Sequence, residues 1–250
     1  MGLGLIGVLS LIPVIIEQLH AAELIDEGSF MLGLLAALLN SLVLTAAASA
    51  VGLLLAHRVG LRSLTVDRFR RKTPVLPDLV PHLPLACISG IVFLVIVVLL
   101  DQFVFRTAEA AVLAAEAAAD MTDLLTNLLV GIVYGGIVEE LLLRWGVMSF
   151  LVWIGWRLLQ KGKGRPKPAL LWSAVVLAAL LFGAGHLPAL ASVAELTPLL
   201  VVRTILLNSF GGVLFGWLFW KRNLETAMVS HGSFHVGLFI INLILLQLGH

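Results

Sequence analysis

Seven apolar runs, each long enough to cross a bilayer, govern what this chain can fold into. They cover about residues 1–17, 30–56, 83–105, 124–157, 169–187, 198–220 and 226–248. An open sheet cannot span lipid, because its edges would leave backbone groups unpaired, and none of the runs alternates with period two. Each run is therefore read as a helix of roughly 20 residues, the length that crosses the hydrocarbon core. The expected fold is an all-α polytopic transmembrane bundle of seven to eight helices. Composition agrees, with 60% hydrophobic and 12% charged residues, against roughly 45–50% and about 25% in soluble domains. The first run is read as a helix and not as a secretory signal, since no basic residue precedes it. The single cysteine, Cys87, excludes an intrachain disulfide and cysteine-based metal clusters.

Net charge is only +1, so no nucleic-acid partner is expected, but the charges are sorted along the chain. Thirteen of the 16 Lys and Arg residues fall within 58–72, 157–167 and 221–222. Acids occupy the alternate loops, with Glu17, Glu23, Asp26 and Glu27 in one and Asp101, Glu109, Glu116, Asp120 and Asp123 in another. The excess of Lys and Arg predicts that the basic loops are cytoplasmic, which puts the N-terminus inside and the C-terminus outside. The expected location is the plasma (inner) membrane of a prokaryote. The Ala-rich segment 107–119 is read as an interfacial helix. The polar, Pro-punctuated stretch 61–84 is read as lying along the basic surface, where Arg and Lys meet anionic lipid. Six tryptophans, Trp145 among them, read as interfacial anchors, and Arg203 as a snorkelling end residue without a functional role.

The run GIVYGGIVEELLLRWGVMSFLVWIGW holds two adjacent acids, Glu139 and Glu140, with Arg144 four residues on. A carboxylate at membrane depth costs at least about 2.5–3.5 kcal/mol, so two in a row require a partner or a task. They point about 100° apart on a helix, which separates their roles. Glu140 shares a face with Arg144, so that pair can neutralise itself. Glu139 is left as the freer carboxylate and the candidate general base. The plainer alternative is that both acids pair with Arg144 or backbone donors. His231 and His235 are also four apart and share a face, a spacing that lets two imidazoles reach one metal ion or one water. Either could equally be a satisfied core histidine. His186 closes a helix ahead of Pro188. Gly131/Gly135 and Gly212/Gly216 read as close-packing helix faces, and Asn208 as either a cavity residue or an interhelical hydrogen-bonding residue.

The succession of Glu139, Glu140 and Arg144 (EExxxR), then Phe182 and His186 (FxxxH), then His231 and His235 (HxxxH), falls on successive spans. It resembles the CPBP family of intramembrane endopeptidases, named for CAAX-prenyl proteases and bacteriocin-processing enzymes and also called the Abi family. The resemblance covers about 122–242 and includes NSFGGVLFGWLFWKRNLETAMVSHGSFHV. It implies that Glu139 and His186 activate water, that His231 and His235 complete the site and stabilise the oxyanion, and that Glu140 and Arg144 are structural partners. His235 stands where the family pattern carries Asn or another polar residue. The same residues suit Zn²⁺, with His186, His231, His235 and Glu139 as its ligands, and are equally compatible with a metal-free glutamate mechanism. Residues 1–121 are then N-terminal transmembrane helices and interfacial segments, and 122–250 the catalytic core, within one integral membrane domain. The expected partners are the lipid bilayer and a membrane-associated peptide or protein substrate: a prenylated CAAX tail, a bacteriocin leader or a membrane-anchored regulator. Two other functions compete. A proton-coupled transporter would use buried Glu and His as a relay, but no paired Gly/Pro-broken segments support it. A catalytically inactive scaffold of the same fold would not need every reactive position filled.

One difficulty is depth. Glu139 and His186 lie 17 or more residues from the basic loop 157–167, roughly 26 Å if helical, whereas His231 lies nine residues from Arg222, roughly 13 Å. Helices four and five must extend beyond the membrane on the basic side for these residues to meet.

Overall fold

The computed structural model describes residues 2–21, 27–106, 120–192 and 194–248. The described residues are mostly helical and include no strand, with seven helices long and apolar enough to cross a membrane. In chain order the elements are α1 (Gly2–His20), α2 (Gly28–Val59), the short α3 (Leu64–Arg71), α4 (Val75–Phe103), α5 (Met121–Leu159), α6 (Pro168–Gly185), α7 (Pro198–Lys221) and α8 (Leu224–Leu248). The protein is an all-α, multi-pass membrane protein. The expected interfacial helix at 107–119 lies outside the described residues.

Helix α5 occupies the middle of the bundle and packs on α1, α2, α6, α7 and α8. It is 39 residues long, which exceeds the roughly 20 residues that a bilayer core requires. Its central part, Gly131–Met148, is π-helical, with wider turns than an α-helix, a form often found at functional sites. Helix α6 starts directly after the basic loop, at Pro168. Helices four and five of the sequence reading thus continue past the start of α8, and the depth difficulty disappears.

The basic loops gather at one end of the bundle. The amide of Leu224 donates to the carbonyl of Arg62 at 3.0 Å. Buried Glu225 accepts from the Ser63 hydroxyl at 2.7 Å and from the amides of Leu64 and Thr65 at 2.8 Å each. This carboxylate satisfies the free N–H groups that any helix start exposes and fastens α3 to α8. The C-terminal part of α5 packs on the turn Ala56–Val59. Beside it, Asp67 receives a bidentate contact from Arg62, at 3.0 and 2.8 Å, and His57 lies 3.0 Å from its other oxygen. Burial pushes the Asp67 carboxyl up, but the Arg62 and His57 contacts outweigh it and hold the group below its ordinary value.

Two expectations need correction. Trp145 is not an interfacial anchor. It is 2% exposed and lies against Gly52, in a core with Phe219, Met148 and Val152, because α5 is central and turns this face inward. Arg203 does not snorkel. Its Nε and Nη2 donate to the two oxygens of Asp101 at 2.7 and 2.6 Å, joining α7 to α4.

Candidate active site

Burial splits the two adjacent glutamates. Glu140 is fully buried, with one oxygen 3.3 Å from Nε of Arg144, as the four-residue spacing predicts. Its other oxygen accepts from Nδ1 of His231 at 2.9 Å. Glu140 therefore joins α5 to α8 as well as pairing with Arg144. Arg144 is 1% exposed. It donates to the Gly212 carbonyl at 3.3 Å and lies between the rings of Phe182 and Phe215, at 4.6 and 5.4 Å from their centroids. Aromatic faces attract a desolvated guanidinium, which fixes this cation between α6 and α7.

Glu139 faces a cavity of about 260 Å³ inside the bundle. Its two carboxylate oxygens lie 3.9 Å from Nε2 of His186 and 3.9 Å from Nε2 of His231. These separations are too long for direct hydrogen bonds, and each matches a span that one water can bridge. The tautomers follow from the other nitrogens. The Phe182 carbonyl can only accept, so His186 Nδ1, 2.8 Å away, donates to it. His231 Nδ1 donates to the Glu140 carboxylate in the same way. In the neutral rings both Nε2 atoms then carry lone pairs, and both face Glu139.

His235 lines the same cavity and stacks on His231, with centroids 5.1 Å apart and planes at 24°. His231 stacks in turn on Phe215 at 4.5 Å. His235 needs room from α5. A Cβ at Gly135 would lie 2.9 Å from His235 Nε2, and one at Gly131 would enter the His235 ring. The Gly131/Gly135 pair is thus a close-packing face, and what it admits is His235. Gly212 and Gly216 admit Ala179 and Val175 of α6.

The predicted Glu139, His186, His231 and His235 all line this one cavity, with Glu140 and Arg144 buried behind it. Among the described residues no group of three His, Cys, Asp or Glu side chains is already arranged to hold a metal ion.

Sequence reasoning did not single out Tyr134, Phe93 or Val97, which line the cavity. Tyr134 is the chain's one tyrosine and lies just ahead of Glu139 in an apolar run, a signal that was available. Phe93 and Val97 lie before residue 122, so the N-terminal part supplies some of the cavity wall. Asn208 also lines the cavity, and its amide donates within its own helix to Thr204 at 2.8 Å.

Fold and site together define a polytopic membrane protein with a carboxylate–imidazole cluster around an internal cavity. Residues 121–237 match the family model described as type II CAAX prenyl endopeptidase Rce1-like. Comparison with curated proteins and with solved structures finds no match.

Proposed function

We propose that the protein is an intramembrane endopeptidase in which Glu139 is the general base and a CAAX-type prenylated peptide is the substrate. The observation that carries this reading is the position of Glu139, with both oxygens 3.9 Å from an imidazole Nε2 at the wall of an internal cavity. A water between Glu139 and His186 gives one proton to the carboxylate and directs the other at His186 Nε2. The water oxygen attacks the peptide carbonyl carbon, and the carbonyl oxygen becomes an oxyanion. His235, stacked on His231 at the cavity wall, donates an N–H to this oxyanion. His231 stays neutral with its Nδ1–H on Glu140, and its Nε2 lone pair helps Glu139 to hold the water. Protonated Glu139 then passes its proton to the leaving nitrogen as the C–N bond breaks. The products are a carboxylic acid and an amine. No step of this scheme is routed through a metal.

The test is hydrolysis of a panel of prenylated CAAX peptides by purified protein in lipid vesicles, read by mass spectrometry. Glu139→Gln is expected to lower the rate by about 10²–10⁴-fold, the scale of general-base loss. A folded Glu139→Gln protein with near-normal cleavage would sink the assignment. An unchanged rate after treatment with a strong zinc chelator is the expected companion result.

A further inference from the structure

The cavity holds a second polar feature that the proposed chemistry does not use. Arg203 and Thr204 line it together with Asn208 and Phe215, all on α7. Arg203 precedes Phe215 by twelve residues, about 18 Å along a helix. His231 stacks on Phe215, so the cavity runs along α7 from the reacting cluster toward Arg203. An extended peptide covers such a length in about five residues.

Arg203 is held in place and only partly used. Asp101 takes Nε–H and one N–H of Nη2, in a bidentate contact. A guanidinium has five N–H donors, so both donors of Nη1 and one of Nη2 remain, on an adjacent edge. Among the described residues no hydrogen bond uses them. The side chain is 17% exposed and lines the cavity. The walls nearby are apolar, with Val97 and Leu207, and unsatisfied donors in such surroundings are costly. The remaining edge has the fork geometry that pairs with a carboxylate. Asp101 keeps the cation oriented and offsets its burial when the cavity is empty.

The geometry points to Arg203 as the binding site for a substrate carboxylate, the C-terminal one, which sets the cleavage a few residues from the end of the chain. This deepens the endopeptidase reading and rests on it.

The experiment uses the full-length protein in lipid vesicles and one prenylated peptide sequence in three forms: a free C-terminal acid, a C-terminal carboxamide, and a carboxamide ending in Glu. The wild-type protein is expected to cleave the acid with kcat/KM about tenfold to a hundredfold above the amide. In Asp101→Asn/Arg203→Gln, which strands no buried charge, that preference should fall to within about twofold, since a bidentate charged contact of this scale is lost. Arg203→Lys, which keeps the charge without the fork, should retain part of it. Equal rates for acid and amide in the wild type, or an unchanged preference in the double variant, would overturn the proposal. Cleavage of the Glu-terminated amide as fast as the acid would overturn the C-terminal assignment. Failure to detect any Glu139-dependent cleavage would instead count against the endopeptidase reading itself.

Discussion

Glu139 and Glu140 are neighbours in sequence with opposite surroundings, and the contrast can be tested directly. Glu140 holds Arg144 and His231 in the buried interior, whereas Glu139 faces the cavity. Glu140→Gln would strand a buried guanidinium, at a cost of about 3–5 kcal/mol. The expected outcome in a thermal-shift assay in detergent is a clear loss for Glu140→Gln and a small change for Glu139→Gln, with Arg144→Ala resembling the former. A larger loss for Glu139→Gln would reverse the two assignments. His186→Ala should match Glu139→Gln in its effect on rate, and combining them should add little, because residues that act on one water are not additive.

At the scale of elements, two helix contacts lend themselves to test. Helices α5 and α8 meet where Gly135 leaves room for His235. Gly135→Ala should displace the ring and lower the cleavage rate by at least about tenfold, since displacements near 1 Å can cost a hundredfold. Circular dichroism should show the helices intact. The second contact is the anchor of α3. Asp67 is held below its ordinary value of 3.8, so its contribution to stability is fully present above that pH. It is lost as pH falls through the lowered value. The melting-temperature gap between wild type and Asp67→Asn should therefore be widest near neutrality and close as pH falls below about 3.8. A gap that widens on acidification would contradict the Arg62–Asp67–His57 arrangement.

For the whole molecule, the gathering of the basic loops at one end makes a topological prediction. In a Cys87→Ser background, single cysteines placed within 58–72 and within 160–167 should react with a membrane-impermeant reagent from the same side. Labelling from opposite sides would be incompatible with the contacts among α2, α5 and α8. The density of Lys and Arg predicts that this side is the cytoplasmic one, with the start of α8 there. His231, seven residues further on, then sits about 10 Å inward.

The seven spans, the all-α class and the set Glu139, His186, His231 and His235 could be read from the chain alone. Each rests on local pattern: an apolar run fixes a helix because lipid offers backbone groups no partner, and a rare ionisable group inside such a run stands out. The pairing of Glu140 with Arg144 was legible for the same reason, being one helical turn apart. The rest depended on packing between helices distant in sequence. The contact from Glu140 to His231 spans 91 positions and that from Arg203 to Asp101 spans 102. Nothing in a local window says which faces will meet. Trp145 and Arg203 were misread because aromatic and basic residues near span ends usually face the interface, and only the central place of α5 and the approach of α4 to α7 turned these two inward.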